Sequence, residues 1–187
     1  MRKRAVALMS GGIDSALACK VALDLGIEIH GLFIKTVFFI KGKSSKLNKA
    51  EKCANILNIP ITIKDYMPEY MEILRHPAYG YGKNFNPCID CHIFFLKKAK
   101  EFLKEVDCDF IITGEVVGQR AMSQMLNTIY MIEEQADVKD IVMRPLCGGL
   151  LRKTKMEEMG LYKKSDLLRI SGKTRIGQFE LIKKYKL

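Results

Sequence analysis

The sequence predicts an α/β fold, in which a parallel five-stranded sheet carries helices on both faces and a basic helical extension follows it. Two observations support this fold class. Short apolar segments alternate with longer segments of helical spacing along the first 150 residues. Such an alternation favours parallel strands joined by right-handed crossovers. From residue 152 to the end, the chain has eleven Lys or Arg against four Asp or Glu, on helical patterns.

The predicted elements follow one another in a regular order. Five apolar segments have the length of strands: residues 5–9, 27–34, 59–63, 109–114 and 141–143. Helical spacing covers residues 16–23, 46–57, 67–74, 91–106 and 122–134, and in the tail residues 153–159, 164–170 and 176–185. Residues 76–87 form a predicted loop, and a loop of this length in a compact domain is usually functional. In a Rossmann-like sheet of this kind, ligands bind beyond the carboxyl ends of the strands, where the strand order reverses.

The glycine pair Gly148-Gly149 is the predicted boundary between two units. Residues 1–150 would form a nucleotide-binding α/β domain. Residues 151–187 would form a basic helical extension that packs on the same domain.

Composition narrows the environment and the partners. The formal net charge of +10 suggests a polyanion such as nucleic acid, the alternative being a basic protein that is merely soluble. No apolar run approaches the roughly 20 residues of a membrane span, so we expect no membrane anchor and a cytoplasmic protein. Six cysteines in a reducing compartment argue against a disulfide framework and for buried thiols or redox, metal or nucleophile chemistry.

The segment from Ser10 to Ser15 has the properties of a phosphate-binding loop between the first strand and the first helix. Adjacent glycines let a phosphate approach the backbone, while hydroxyls and the helix start offer donors and positive dipole. A carboxylate beside such a loop repels phosphate unless a cation intervenes, so we expect Asp14 to bind Mg²⁺ directly or through water. The alternative is a tight turn capped by Ser10. The predicted loop residues are Ser10, Gly11, Gly12, Asp14 and Ser15.

Residues 10–15 resemble the signature of the ATP pyrophosphatases that carry a modified P-loop, the PP-loop. They lack the Gly-Lys-Ser/Thr ending of an ordinary P-loop, which argues against cleavage at the γ-phosphate. The resemblance implies an adenine nucleotide alpha hydrolase-like fold that uses ATP and Mg²⁺. In that family a substrate oxygen attacks the α-phosphorus, giving an adenylate and pyrophosphate. Backbone N–H groups, hydroxyls and Mg²⁺ can stabilise the charge on this leaving group.

Other segments resemble enzymes that introduce sulfur into tRNA. Residues 31–35 resemble the second-strand segment of tRNA thiouridylases, and residues 86–91 resemble their Asn-Pro-x-x-x-Cys segment. Residues 113–119 and 142–146 are similar to segments of the tRNA 4-thiouridine synthetase family. The resemblance implies adenylation of a tRNA uridine followed by sulfur insertion, with tRNA and a sulfur donor, a cysteine desulfurase or sulfide, as partners. A homodimer is one expected assembly.

The same resemblance and the predicted sheet suggest which residues surround the substrates. The resemblance implies that backbone groups around the strand end, at Phe33 and Ile34, read adenine. Thr113-Gly114 would converge on the same nucleotide. Four further residues are weaker candidates for nucleotide or tRNA contacts: Gln119, Ser123, Gln124 and Arg144. The first three have the alternative of capping the following helix, and Arg144 has the alternative of a solvated basic side chain.

Cys91 matches the family cysteine that attacks or carries sulfur. A helix is predicted to begin there, which would lower the pKa of the thiol and favour the thiolate. Cys88 departs from the 2-thiouridylase pattern, which commonly has an acid at this position.

The resulting Cys-x-x-Cys leaves several kinds of chemistry open. Cys88 and Cys91 could act as a persulfide and a resolving thiol, or could ligate an iron–sulfur cluster with a distant third thiol such as Cys147. Zinc ligation, haem attachment with His92 and simple packing are further alternatives. Packing is the default for the remaining thiols, Cys19, Cys53 and Cys108.

Two other functions remain open. The chain could adenylate and sulfurate a small metabolite or cofactor precursor. It could also be a nucleotide-binding subunit that presents ATP or sulfur to a partner and has no activity of its own.

Overall fold

The computed structural model describes residues 3–37, 46–82 and 85–187, and its centre is a five-stranded parallel sheet. The sheet order is β3-β2-β1-β4-β5, and every neighbouring pair is parallel. The strands are β1 Arg4–Leu8, β2 Glu28–Lys35, β3 Ile61–Asp65, β4 Phe110–Ile112 and β5 Val142–Met143. The predicted α/β class with a parallel five-stranded sheet is therefore confirmed.

Helices cover both faces of this sheet. They are α1 Ile13–Asp24, α2 Lys46–Leu57, α3 Met67–Arg75, α4 Cys88–Glu105, α5 Leu126–Gln135, α6 Lys155–Glu158 and α7 Ile176–Tyr185. Side chains of β1 alternate between two buried clusters, because successive strand residues point to opposite faces. Ala5 and Ala7 pack with α1 and α2, and Val6 packs with α4 and α5. Within the described ranges, no helix is long and apolar enough to cross a membrane.

The strand order reverses between β1 and β4, and this places the candidate site. The chain proceeds from β1 to β2 and β3 on one side, and returns to β4 and β5 on the other. The loops after β1 and β4 therefore diverge at the carboxyl ends of adjacent strands, where parallel sheets bind ligands. One loop contains residues 9–12, and the other begins at Thr113.

Helix α4 begins three residues earlier than the sequence pattern predicts. Pro87 is its N-cap residue and Cys88 is its first residue, so both thiols of the Cys-x-x-Cys lie in the first turn. A tertiary contact stabilises this start: the Asp90 carboxylate accepts hydrogen bonds from the backbone N–H groups of Ala78 (2.9 Å) and Tyr79 (3.2 Å). These bonds also fix one end of the predicted loop 76–87, of which residues 83–84 lie outside the described residues.

The tail differs from the prediction in its middle segment. The predicted helix 164–170 is wrong, because only a short 3₁₀ turn, Lys164–Asp166, forms there. The backbone N–H groups of Leu168 and Ile170 instead donate to the carbonyls of Pro145 (2.9 Å) and Leu146 (3.0 Å). The predicted helix 153–159 is shortened to α6, which a capping box at Thr154 begins, and α7 has the predicted bounds.

Apolar side chains of the tail belong to the same buried cluster as α1. Met156, Leu161, Tyr162 and Leu167 pack there together with Ala5 and Leu17 from the start of the chain. The predicted boundary Gly148-Gly149 is itself buried. The division of the chain at this point stays a prediction about domain organisation.

Candidate active site

Two adjacent cavities, each of about 280 Å³, open at the carboxyl ends of the strands. Five residues line both cavities: Leu8, Ser10, His92, Phe95 and Arg120. Predicted site residues in the first cavity are Ser10, Phe33, Ile34, Cys88, Cys91 and Ser123. Predicted site residues in the second cavity are Ser10, Asp14, Ser15, Thr113, Gly114, Gln119 and Gln124. The structure thus brings Ser10, Asp14 and Ser15 of the glycine loop, residues 10–15, close to the paired thiols. The other predicted site residues line neither cavity: Gly11, Gly12, Arg144 and Cys147.

The glycine loop is held by its own hydroxyls. The Ser15 hydroxyl donates to the carbonyl of Gly12 (2.8 Å), and the Ser10 hydroxyl accepts from the N–H of Gly12 (3.3 Å). Gly12 is the N-cap residue of α1, and no side chain in the described part of the protein caps this helix. The first N–H groups of a helix have no intrahelical partner, so the start of α1 can bind an anion.

The two glycines of the loop have different roles. Gly11 has a φ of +72°, and a Cβ there would lie 2.1 Å from the carbonyl oxygen of Lys46 at the start of α2. A Cβ at Gly12 would meet only the Ser10 hydroxyl, at 3.3 Å. Gly11 therefore makes room for α2, whereas the nearest atom to a Cβ at Gly12 is the Ser10 hydroxyl oxygen. The contact of both glycines with phosphate stays a prediction.

Gly114 lets the loop after β4 approach the glycine loop closely. A Cβ at this position would lie 2.5 Å from the carbonyl carbon of Asp14. Any larger residue would push the two loops apart. The contact explains why the β4 end and the β1 end share one site.

Asp14 has one oxygen in use and one without a partner. Its Oδ2 accepts a hydrogen bond from Gln119 Nε2 (3.0 Å) and pairs with Arg175 Nη2 (3.2 Å). Its Oδ1 is buried and has no hydrogen-bond partner among the described residues. Carboxylate oxygens are preferred Mg²⁺ ligands, so the orphaned Oδ1 fits the predicted role of Asp14.

Cys91 is hydrogen-bonded to Tyr70, with 2.6 Å between the thiol sulfur and the hydroxyl oxygen. Burial raises the pKa of the Cys91 thiol to about 11, although the Tyr70 hydroxyl opposes this shift. The expectation that a helix start lowers this pKa is therefore wrong for Cys91. It is the fourth residue of α4, and its N–H already donates to the carbonyl of Pro87 (2.9 Å). Cys88 is the thiol at the first position of the helix.

Cys147 does not join the other two thiols. It is fully buried, and its Sγ donates to the carbonyl of Glu115 (3.2 Å). Among the described residues, no three His, Cys, Asp or Glu side chains are grouped so that they could hold a metal ion. The side chains present therefore do not fit a cluster held by Cys88, Cys91 and Cys147, nor a zinc site of the usual four ligands.

A buried chain of charges lies behind the second cavity. His92 Nδ1 and Glu115 Oε1 are 2.5 Å apart, and Glu115 Oε2 accepts from Arg144 Nε (2.8 Å) and the Thr113 hydroxyl (3.0 Å). Arg144 also pairs with Glu133, and its side chain is only 1% exposed. Burial alone would raise the pKa of Glu115, but Arg144 and His92 outweigh it and hold the pKa well below its ordinary value.

This charge chain corrects one predicted role and adds residues that the sequence did not indicate. Arg144 is neither solvated nor available to RNA, because its guanidinium is enclosed with two carboxylates. Glu115 lies in the segment that resembles the 4-thiouridine synthetases, and this resemblance is its one indication in the sequence. The one sequence signal for His92 is its place in Cys-x-x-Cys-His. Contacts at long sequence separation reveal the remaining residues that were missed, Tyr70, Arg120, Arg175 and Gln178.

Ser123 and Gln124 line the cavities and do not cap α5. The N-cap residue of α5 is Met125, and no side chain in the described ranges caps that helix. Ser123 Oγ and Gln124 Oε1 are buried without hydrogen-bond partners among the described residues. Such groups are costly to bury unpaired, which suits residues that hydrogen-bond a ligand.

Comparison with known proteins identifies relatives that modify tRNA. The chain is 34% identical over 110 residues to the tRNA-specific 2-thiouridylase MnmA of Campylobacter jejuni, a match covering 57% of this chain and 32% of that protein. It is 29% identical over 150 residues to the probable tRNA sulfurtransferase of Methanocaldococcus jannaschii, a match covering 78% of this chain and 37% of that protein. It is 28% identical over 196 residues to the tRNA-specific 2-thiouridylase MnmA of Caldicellulosiruptor saccharolyticus, a match covering 94% of this chain and 53% of that protein. The chain thus spans about a third to a half of these relatives.

Solved structures share the fold. A 4-thiouridine synthetase in complex with RNA and bound ATP has a TM-score of 0.60 at 20% identity, covering 98% of this chain and 51% of that chain. A predicted subunit of tRNA methyltransferase from Methanocaldococcus jannaschii has a TM-score of 0.52 at 17% identity, covering 98% and 88%. The model of the family described as thiamine biosynthesis protein (ThiI) matches residues 1–163. Because this match includes most of the chain, the predicted relationship to the PP-loop tRNA sulfurtransferases is confirmed, and the chain belongs to the ThiI family.

Proposed function

We propose that this chain is the ATP-dependent module of a tRNA sulfurtransferase, which adenylates a uridine carbonyl oxygen and then replaces that oxygen with sulfur. One observation carries the proposal. The glycine loop and the Cys88–Cys91 pair open onto adjacent cavities with common walls. A single bound substrate could therefore meet both the activating nucleotide and the sulfur.

The proposed reaction has two displacements. The carbonyl oxygen of the uridine attacks the α-phosphorus of ATP, the bond to the β,γ-unit breaks, and pyrophosphate leaves. Sulfur then forms a bond to the activated carbon, and AMP leaves with the original oxygen. Adenylation is required because the carbonyl oxygen is otherwise a poor leaving group.

Residues of the two cavities suit these steps. Phe33 and Ile34, at the end of β2, line an apolar wall suited to adenine. Gly12 and the start of α1 would bind the phosphates. Asp14 would hold Mg²⁺, which neutralises charge on the departing pyrophosphate. Ser123 and Gln124 would orient the nucleotide or the uridine through their unpartnered oxygens.

The two thiols would carry the sulfur. Cys91 matches the cysteine that carries sulfur in the related family. Its hydrogen bond with Tyr70 fixes the thiol in the wall of the first cavity. The Cys91 thiolate would take the outer sulfur of a persulfide on a cysteine desulfurase, whose own thiol leaves. Once that sulfur is bonded to the uridine carbon, the Cys88 thiolate would attack Cys91 Sγ, which releases the thiouridine and forms a Cys88–Cys91 disulfide that an external thiol reduces. Free sulfide would instead attack the activated carbon directly, without the thiols.

The net charge of +10 supports a polyanionic substrate such as tRNA. The names of the relatives support the same substrate class, and such an enzyme would act in the cytoplasm.

Incubation with ATP, Mg²⁺, tRNA, a cysteine desulfurase with cysteine, and a reducing thiol tests this proposal, with AMP, pyrophosphate and digested nucleosides measured by mass spectrometry. Wild type should give all three products, including a thiolated uridine. Cys91→Ser should still release pyrophosphate but give no thiolated nucleoside, whereas Gly12→Val should give neither. If wild type yields no AMP and no thiolated nucleoside with either sulfide or a cysteine desulfurase, the proposal is wrong.

A second candidate is sulfur insertion into a small cofactor precursor. The description of the matching family, thiamine biosynthesis protein, favours it. The two candidates differ in how tRNA binds, because binding through phosphates weakens steeply with added salt. Salt-sensitive tRNA binding supports the first candidate, and absence of tRNA binding even at low salt supports the second.

A further inference from the structure

The C-terminal helix α7 returns to the glycine loop at the other end of the chain. Before α7, the backbone N–H of Gly172 donates to the carbonyl of Val117 (2.9 Å), in the loop after β4. Gly118 and Gly172 both have positive φ and nearly touch, since a Cβ on Gly118 would lie 3.4 Å from the nitrogen of Gly172. The tail is thus fixed beside the site three residues before Arg175.

Helix α7 is also anchored along its length on α1, the helix that begins at the glycine loop. Leu181, Ile182 and Tyr185 pack against the buried cluster that contains the α1 side chains. Lys20 of α1 lies over the Tyr185 ring, with 5.1 Å from its ammonium nitrogen to the centroid. These contacts fix the position of Arg175, the N-cap residue of α7.

Three side chains link α7 to the glycine loop. Gln178 is fully buried and its Nε2 donates to Gln119 Oε1 (2.8 Å). Gln119 Nε2 in turn donates to Asp14 Oδ2 (3.0 Å), and Arg175 Nη2 approaches the same oxygen (3.2 Å). The buried Gln178 amide and the half-buried Gln119 amide fix the chain to Asp14. The Arg175 side chain is 42% exposed and can reorient.

The Arg175–Asp14 ion pair contributes little to the stability of the fold, but the guanidinium of Arg175 is well suited to bind a phosphate. Partly exposed ion pairs contribute little to stability. A guanidinium has five N–H donors in a planar fork that matches phosphate oxygens. Among the described residues, the hydrogen bond to Asp14 uses one nitrogen of this fork, Arg175 Nη2. A cation beside the start of α1 adds a charged donor to the neutral N–H groups there.

We propose that Arg175 is a phosphate-binding residue of the nucleotide site, which pairs with Asp14 when the site is empty and binds the β,γ-phosphates of ATP and the pyrophosphate product. This inference rests on the proposed function. It makes part of the tail a component of the nucleotide site, in addition to any contribution of its charge to RNA binding.

Calorimetric titration of the full chain with ATP, AMP and inorganic pyrophosphate, each with Mg²⁺, tests this role. Arg175→Gln should weaken ATP and pyrophosphate binding about tenfold or more, as expected for loss of a charge-assisted hydrogen bond. AMP binding should change less than about threefold, because AMP lacks the β,γ-unit. Arg175→Lys should be intermediate, since it keeps the charge but not the fork.

Lys183→Gln is the matched control, because it removes one charge from the exposed last turn of the same helix. It should leave all three affinities unchanged. Equal losses for ATP and AMP in Arg175→Gln, equal losses in both variants, unchanged binding, or tighter ATP binding by Arg175→Gln would each overturn the inference. Failure of wild type to bind ATP would instead contradict the proposed function itself.

Discussion

At the scale of single residues, Arg144 and Glu115 form a deeply buried charged contact beside the site. Both side chains are at least 92% buried, and Arg144 also holds Glu133. Removing the Glu115 charge would leave Glu133 as the one carboxylate partner of Arg144 among the described residues, and would weaken the acceptor for Arg144 Nε and the Thr113 hydroxyl. The arrangement fixes the orientation of His92 through Glu115.

Glu115→Gln should therefore lower the free energy of unfolding by about 1–3 kcal/mol, because Arg144 loses one charged acceptor but keeps Glu133. Urea unfolding followed by circular dichroism measures this loss. Glu134→Gln, which changes an exposed carboxylate on α5, is the control and should cost less than about 0.5 kcal/mol. Equal losses in the two variants would show that the buried pair does not stabilise the fold.

The same carboxylate predicts a pH dependence. The pKa of folded Glu115 is below its ordinary value of 4.5, so its stabilising contribution is complete above that value. The contribution is lost as pH falls below about 4.5 towards the folded pKa. Unfolding measured between pH 7 and 3 should show a smaller acid-dependent loss in Glu115→Gln than in wild type. Identical slopes would contradict the assignment.

Cys91 provides a third test at this scale. Its pKa of about 11 predicts slow alkylation by iodoacetamide near neutral pH and a steep rise towards alkaline pH. Because the Tyr70 hydroxyl lowers this pKa, Tyr70→Phe should slow the reaction further. Mass spectrometry of the Cys91 peptide measures the rate, with Tyr79→Phe as a control on an exposed ring. Faster alkylation in Tyr70→Phe would contradict the assigned effect of the hydroxyl.

At the scale of elements, the sequence predicts regular segments well and segments with distant partners poorly. The bounds of α2 and α7 follow from helical spacing alone. The early start of α4 depends on Asp90 binding the backbone of residues 78–79, and the extended segment at Leu168 depends on carbonyls more than 20 residues away. Neither partner is visible in a local pattern, so both deviations come from tertiary structure.

The same limit applies to the candidate site. Strand, glycine loop and helix follow one another locally, so the loop could be located from sequence. Arg175 contacts Asp14 across 161 residues, and Glu115 reaches Arg144 across 29. Side chains that come together only when the sheet forms were therefore missed or given another role.

The two glycines of the loop should respond differently to alanine. Gly11→Ala places a Cβ against the start of α2 at a positive φ and should lower the free energy of unfolding by about 1–3 kcal/mol. Gly12→Ala meets only a hydroxyl, so stability should be nearly unchanged while ATP binding weakens. Thermal unfolding and ATP titration of both variants test this distinction. Loss of stability in Gly12→Ala alone would reverse the assignment.

At the scale of the whole molecule, segments that are far apart in the chain meet at the carboxyl ends of the strands. The glycine loop comes from the first strand connection, the thiols from the start of α4, and Arg175 from the tail. Their meeting at the reversal of strand order follows from the parallel topology. The central claim is that these parts form one site, in which ATP activates the oxygen that sulfur then replaces.

An isotope measurement tests that claim most directly. The substrate is tRNA whose uridine carbonyl oxygens carry ¹⁸O, incubated with the protein, ATP, Mg²⁺ and a sulfur donor. Mass spectrometry of the products should show one ¹⁸O in AMP for each thiolated uridine formed. If thiolated uridine forms while AMP contains no ¹⁸O, the carbonyl oxygen was not the nucleophile and the account is wrong.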